Sequence, residues 1–430
     1  MGTLAERGQS LFGLGVFILL TFVVGRMLGA RKIPWRVIIW GIVLQFAFGA
    51  IVLYAPYVLE NVQLAIDQLL KCTVAGANMV FGNLAGESLP VVDPTGRQIG
   101  VANHFAVFGF VVLPTIIFVS MLTAMLYHLG VLTWVVKGLA SVMQRTMGTS
   151  GAETLSTAAN IFVGQTEAPL LVRPFLLTAT RSELMAIMVG GFSNIASGVL
   201  VAYTRFLGPY IENVGGHLAA ACFISAPATL IVAKLLMPET EKPQTASGVG
   251  VKVEKPDSNL FDAATRGTSE GLLLAINVGA MLIAFTALVA LVNVIIGWAF
   301  GQVGVQGASL ERGLGYLCAP IAWLCGVPWS ECREVGALLG IKTVLNEFIA
   351  YLKMSGSFAE NPSFLSPRAA LLATYALCGF ANIASVGIQI GGISVLAPER
   401  RHDLSRIGFL AMLGGAIASC MGACVVGVLL

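Results

Sequence analysis

The chain has 430 residues, of which 57% are hydrophobic and 11% are charged, and its net charge is +3 at pH 7. Soluble domains carry about 25% charged residues, so this chain cannot cover a water-facing surface of its size, and most of its surface is expected to face lipid. The charge is too small and too scattered to predict nucleic-acid binding. The eight cysteines include no C-x-x-C pair and mostly lie in apolar runs, which indicates packing rather than disulfides or metal binding.

Eight apolar segments are long enough to cross a bilayer, which takes about 20 helical residues. In chain order they are 10–28, 37–57, 104–127, 184–204, 216–236, 271–299, 370–396 and 406–430. Two further apolar regions, 131–178 and 313–365, are too long for one span, and small or polar residues interrupt them at 148–151 and 325–328. The sequence therefore predicts an all-α polytopic membrane protein with eight transmembrane helices and two re-entrant helical hairpins, which membranes tolerate only where protein or a cavity surrounds them.

Basic residues set the expected orientation, because loops rich in Lys and Arg stay in the cytoplasm. The loops after the first span and before the last span are basic, whereas 57–103 contains only Lys71 and Arg97. With eight spans, both termini are then expected on the periplasmic or extracellular side. The segment 237–270, rich in Pro, Gly and Ser over 237–258, is expected to be a cytoplasmic linker between two halves.

One seven-residue motif occurs twice. Gly-Phe-Ser-Asn-Ile-Ala-Ser at 191–197 recurs at 379–385 with a single difference, Ala in place of the first Ser. Each copy lies within a predicted span and follows a hairpin that carries a glutamate in apolar surroundings, Glu167 or Glu347. Because the two hairpins are expected to open to opposite sides, the halves are predicted to be inverted copies. Inverted repeats with interrupted helices are typical of secondary transporters, and this interpretation is favoured over simple close packing of small residues.

The two glutamates are the leading candidates for binding residues, because a charged residue at the bilayer centre costs on the order of 3 kcal/mol on translocon scales. The structural alternative is a neutralising ion pair, Glu167 with Arg173 or Glu347 with Lys342. Carboxylate and amide side chains in weakly basic surroundings suit a neutral polyhydroxylated solute better than an anion. The sequence contains no metal-ligand spacing and no phosphate-binding or nucleophile motif, which weakens an enzymatic interpretation.

At these motifs the chain resembles the concentrative nucleoside transporter family. The resemblance extends from the first span to the last and is densest at 164–170, 172–175, 341–348 and 380–383. It implies a symporter of the bacterial inner membrane that imports nucleosides on a sodium gradient, with no cofactor besides the coupling ion and no enzymatic chemistry. A proton-coupled nucleoside symporter and a passive nucleoside channel are the alternatives.

The resemblance also implies how the chain is divided. Residues 1–130 would form spans one to three of a scaffold, with an interfacial helix within 58–95. Residues 271–300 would form the sixth span, which also belongs to the scaffold. Residues 131–236 would hold the first hairpin with spans four and five, and 301–430 the second hairpin with spans seven and eight. These last two segments would move together as a transport unit and give alternating access, whereas the scaffold would form a homotrimer in the lipid.

Residues for nucleoside binding follow from the same resemblance. The base side would consist of Gln165, Thr166, Glu167 and Val199, and the ribose side of Glu347, Phe380, Asn382 and Ser385. In this arrangement the nucleoside would lie between the tip of the first hairpin and the interrupted helix of the second half.

A sodium site is also implied, between the first hairpin and the break in the fourth span. Its ligands would be the side chains of Asn160 and Asn194 and the backbone carbonyls of Val163 and Ile195. The family often has Ser or Thr where this chain has Asn194. An amide oxygen is still an acceptor that can coordinate a cation, so sodium remains the expected coupling ion.

Overall fold

The computed structural model describes residues 2–85, 88–103, 108–246, 257–302, 304 and 306–430, and almost all of the ordered backbone in them is helical. The helices of the first half are α1 (Leu4–Met27), α2 (Trp35–Tyr54), α3 (Pro56–Phe81), α4 (Phe108–His128), α5 (Val131–Met147), α6 (Gly151–Ala159), α7 (Arg173–Leu176), α8 (Arg181–Ser193), α9 (Ser197–Leu207) and α10 (Val214–Leu236). Those of the second half are α11 (Leu260–Gly301), α12 (Leu310–Leu324), α13 (Cys332–Val344), α14 (Glu347–Glu360), α15 (Pro367–Leu377), α16 (Ile383–Leu396) and α17 (Arg401–Leu429).

Within the described residues, seven helical stretches are long and apolar enough to cross a membrane. They correspond to α1, α2, α4, the α8–α9 pair, α10, α11 and α17. The span predicted at 370–396 is divided between α15 and α16, each too short to count alone, and residues 104–107 of the third predicted span lie outside the described residues. The multi-pass helical fold is confirmed, and the total of eight spans stays a prediction.

A short β-hairpin departs from the purely helical prediction. Strand β1 (Ser88–Val92) pairs antiparallel with β2 (Gln98–Asn103). The turn between them has a local cause, since one Asp93 carboxylate oxygen accepts from the backbone N–H of Thr95 and of Arg97, at 2.9 Å each. Gly96 follows with φ of 83°, a value that suits glycine. The helix α3 precedes this hairpin and occupies most of the stretch predicted to hold the interfacial helix.

The two interrupted helices are present at the duplicated motif. Asn194 leaves α8 in an extended conformation before α9 begins, and Asn382 caps the start of α16 by accepting the N–H of Ser385 at 2.9 Å. The two breaks touch, because Phe380 N–H donates to the Asn194 carbonyl at 3.3 Å. The motif therefore marks the place where the two halves of the chain cross.

The breaks predicted at 148–151 and 325–328 also exist, and each region contains one more helical segment than expected. Gly148 ends α5 with φ of 73° and Gly326 follows α12 with φ of 95°. Beyond these breaks, α6 leads to a second turn at 160–167 and α13 leads to one at 345–346. The glutamates lie at these second turns, which repeat in the same order in both halves.

Burial separates the helices into an inner and an outer group. Helices α8, α9 and α10 are almost completely buried by protein. Helix α11 contacts the chain along one stripe of small residues, where Gly267 and Gly271 bring it close to α4, a packing mode common between membrane helices. From Leu272 to Phe300, α11 also presents many large apolar side chains that are exposed in the single chain.

The close approach of the two helix breaks, after α8 and before α16, requires glycine at position 379. Its φ is 143°, and a Cβ there would lie 2.8 Å from the Phe192 carbonyl oxygen. We expect Gly379→Ala to destabilise the purified protein by ~2 kcal/mol or more, because backbone strain and a clash add. Gly387 of α16 has open space around its Cβ position, so Gly387→Ala should be neutral or stabilising. Thermal unfolding in detergent measures both, and equal melting temperatures for the two variants would contradict the crossing geometry.

Candidate functional site

The carboxylate of Glu347 is the centre of the candidate site. Glu347 is the first residue of α14 and is 4% exposed. Asn346 caps the helix by accepting the Ile349 N–H at 2.9 Å, and a helix N-terminus favours negative charge. Two side chains donate to the carboxylate, Tyr203 Oη to Oε1 at 2.9 Å and Asn382 Nδ2 to Oε2 at 3.1 Å.

Neither of the proposed neutralising ion pairs forms within the described part of the chain. Lys342 is buried, and its Nζ donates to the Ala376 carbonyl at 2.9 Å rather than to Glu347. Arg173 is exposed at the start of α7 and makes no ion pair with Glu167. Glu347 is therefore a buried acid that is satisfied by neutral donors, which leaves its remaining lone pairs available to the hydroxyl groups of a solute.

Tyr203 was not predicted from the sequence. It lies on α9 in the first half, is fully buried, and packs against Phe348 and Tyr351 with ring centroids 5.3 and 4.4 Å away. The Tyr351 hydroxyl donates elsewhere, to the Thr374 carbonyl at 2.7 Å. Tyr203 thus links the first repeat to the carboxylate of the second, a contact that only the fold creates.

The tip of the first hairpin reaches the second half at α16. Gln165 Nε2 donates to Ser385 Oγ at 3.4 Å, and Gln165 Oε1 accepts from Gln389 Nε2 at 3.2 Å. Thr166 packs beside Gly392, where a Cβ would lie 2.6 Å from the threonine methyl. The tip therefore lies on one face of α16, and Gln389 on that face is a second residue that sequence reasoning missed.

Other predicted residues lie around this cluster. Glu167 is exposed, and its carboxylate accepts only the Gly164 N–H, at 3.1 Å, among the contacts of the described chain. Val199 is buried on α9, and Phe380 is half-buried at the break, where its backbone joins Asn194. The structure thus joins Gln165 with Ser385 and Glu347 with Asn382, while the Glu167 side chain lies outside this network.

The predicted cation ligands lie where α6 approaches α8. Asn194 is 2% exposed, and both polar atoms of its amide lack a partner within the described chain. Asn160 Nδ2 donates to the Ser156 carbonyl at 3.1 Å and lies 3.2 Å from the Cβ position of Gly190, one turn before Asn194. An unpaired buried amide costs about 1–3 kcal/mol, so a ligand or water that engages Asn194 would remove this cost. Unwound backbone and oxygen donors of this kind suit a sodium ion.

A separate cavity of about 720 Å³ lies between the ends of α9 and α14 and the start of α15. Its lining includes Tyr210, His217, Glu331 and Phe358. None of the predicted binding residues lines it.

Sequence comparisons place this arrangement in a known family. Residues 12–84 and 217–427 match the N-terminal and C-terminal families of Na⁺-dependent nucleoside transporters, and 109–210 match a family described as nucleoside recognition. The chain is 42% identical over 405 residues to the Bacillus subtilis uncharacterized transporter YutK, which covers 92% of this chain and 93% of that protein. It is 41% identical to rat sodium/nucleoside cotransporter 1 over 99% of this chain, and it spans 64% of the length of that relative.

Solved structures agree with the sequence comparisons. The structure of CNTnw in an inward-facing substrate-bound state matches with a TM-score of 0.87 and 38% identity, over 98% of this chain and 97% of the other. A CNTnw variant in an outward-facing state matches with a TM-score of 0.89 and 38% identity, over 99% and 97%. The relatives are transporters rather than enzymes. The chain therefore belongs to the concentrative nucleoside transporter family.

Proposed function

We propose that this protein is a secondary active symporter that imports nucleosides on a sodium gradient. The observation that carries the proposal is the Glu347 carboxylate, which is buried at the meeting point of the two repeats and bonded by a side chain from each half. A buried acid with neutral partners is suited to accept hydrogen bonds from the hydroxyl groups of a sugar. The names of the relatives, sodium/nucleoside cotransporters, support the same substrate class.

In this proposal the nucleoside bridges the two repeats. Glu347, Asn382 and Ser385 receive the ribose, and Phe380 lies beside it. The tip residues Gln165, Thr166 and Glu167, with Val199, receive the base. The contact of Gln165 with Ser385 supports this division, because it brings the base side and the ribose side within one side-chain length of each other.

Sodium is proposed to bind at Asn160, Asn194 and the carbonyls of Val163 and Ile195. The unpaired Asn194 amide supports this assignment, since a cation would satisfy its oxygen. Because the segment 160–167 carries two of the four ion ligands, Asn160 and Val163, and three of the base-side residues, a bound ion would order the tip before the nucleoside arrives. That coupling would make uptake depend on sodium.

The division into scaffold and transport unit, the homotrimer and the location in a bacterial inner membrane belong to the same proposal. The exposed apolar surface of α11 supports contact with lipid or with other copies of the chain. Gly2 N–H donates to the Leu430 carbonyl at 2.8 Å, which supports an even number of crossings with both ends on one face. Similarity to CNTnw in inward-facing and outward-facing states supports alternating access.

We expect Glu347→Gln to lower kcat/KM for uridine uptake by about tenfold or more, because a hydrogen bond to a charged group contributes about 1.5–3 kcal/mol. Uptake of labelled uridine into proteoliposomes measures the effect. Glu360→Gln, at the exposed end of the same helix, is the matched control and should transport normally. Normal uptake by Glu347→Gln would exclude the ribose role of Glu347.

Sodium coupling has its own test. Proteoliposomes with an inward sodium gradient should accumulate uridine above the external concentration, and replacing sodium by choline at constant pH should abolish accumulation. Accumulation on a pH gradient alone would favour the proton-coupled alternative. Entry that stops at equal concentrations with every ion would favour a passive channel.

A further inference from the structure

We propose that Gln389 is a specificity residue: it fixes the amide of Gln165 so that the base site donates a hydrogen bond and prefers nucleosides with a carbonyl at C4 of a pyrimidine or C6 of a purine over those with an amino group at that carbon. Uridine and inosine have that carbonyl, whereas cytidine and adenosine have an amino group at the equivalent place. This inference rests on the proposed function and adds a substrate class to it.

The orientation of the Gln389 amide is determined by its surroundings. The side chain is fully buried on α16, and its Nε2 lies 3.2 Å from the Met188 carbonyl oxygen of α8. A carbonyl oxygen can only accept, so the Gln389 atom that faces it must be the nitrogen. Amide orientations are often ambiguous, but this contact removes the ambiguity for Gln389.

The Gln389 orientation then determines that of Gln165. The same Gln389 nitrogen donates to Gln165 Oε1 at 3.2 Å, which orients the Gln165 amide with its oxygen towards Gln389. Gln165 Nε2 carries two hydrogens, one of which is directed to Ser385 Oγ at 3.4 Å. The other hydrogen is left to donate to a solute. The tip therefore offers the base a donor, which pairs with a carbonyl and not with an amino group.

The two glutamines fit together because α8 has a glycine at position 191. A Cβ on Gly191 would overlap Gln389 Nε2 and would lie 3.0 Å from the Cβ of Gln165. Gln389 Oε1 is buried without a partner in the described chain. The Gln389 amide is thus held in the described chain by the contacts of its Nε2 alone.

Competition against labelled uridine in sodium-containing proteoliposomes tests the inference. In the wild-type protein we expect uridine to bind about fivefold more tightly than cytidine, and inosine more tightly than adenosine by a similar factor, which corresponds to one neutral hydrogen bond. Gln389→Met keeps the length of the side chain but cannot donate a hydrogen bond. The affinity ratios of uridine to cytidine and of inosine to adenosine should therefore both fall towards one. Discrimination between uridine and 2′,3′-dideoxyuridine should be unchanged, because it depends on the ribose side.

Gln45→Met is the matched control. Gln45 is a buried glutamine of α2 whose amide has no partner in the described chain, and its replacement should leave both ratios at the wild-type value. If Gln389→Met does not fold, Gly191→Ala provides a second route, because its methyl group displaces the Gln389 amide and should also reduce the ratios.

Each outcome has a defined consequence. Equal affinities for carbonyl and amino bases in the wild-type protein, or unchanged ratios in Gln389→Met or Gly191→Ala, would overturn this inference while the proposed function stands. Failure of the wild-type protein to bind any of the four nucleosides would overturn the proposed function and the inference together.

Discussion

Burial of one carboxylate is the constraint on which the candidate site depends. An acid inside an apolar protein is stable only where donors replace water, and Glu347 obtains them from Tyr203, from Asn382 and from the start of its own helix. These donors come from both repeats. The chain must therefore bring α9, α14 and the break before α16 together, and that convergence also places the first hairpin tip beside Ser385.

The two halves of the chain meet where their interrupted helices expose unwound backbone, a feature that is unfavourable in membrane helices. Unwound backbone is tolerated at membrane depth only inside protein. Here one backbone hydrogen bond joins the two breaks, since the Phe380 N–H donates to the Asn194 carbonyl. Asn382 satisfies a further N–H by capping its own helix. The Asn194 side chain stays unpaired. The meeting of the two breaks thus brings together the two sides of the candidate site, an acid on one side and an amide-rich tip on the other.

Much of this architecture could be predicted from the sequence, because its determinants are local. Apolar length indicated the spans, and the duplicated heptapeptide located both breaks. Glu347 and Asn382 were predicted as partners in one site, and they are hydrogen-bonded. Tyr203 and Gln389 could not be found in this way, because their roles come from contacts between residues 144 and 224 positions apart.

The remaining differences have similar causes. Glycine and proline at the predicted breaks mark helix ends but do not tell which neighbouring helices pair, so the additional turns at 160–167 and 345–346 were missed. The β-hairpin depends on the Asp93 turn, a signal that is weak beside long apolar runs. Glu167 was expected beside the base, and the exposure of its side chain depends on how the tip lies on α16.

The central claim is that one nucleoside bridges the two repeats at Glu347. A cryo-electron microscopy structure of the protein with sodium and uridine tests it most directly. The account predicts the ribose within hydrogen-bond distance of Glu347 and Asn382 and the base beside Gln165. Uridine in the cavity lined by Tyr210 and Phe358, with the Glu347 cluster unchanged and empty of solute, would contradict it.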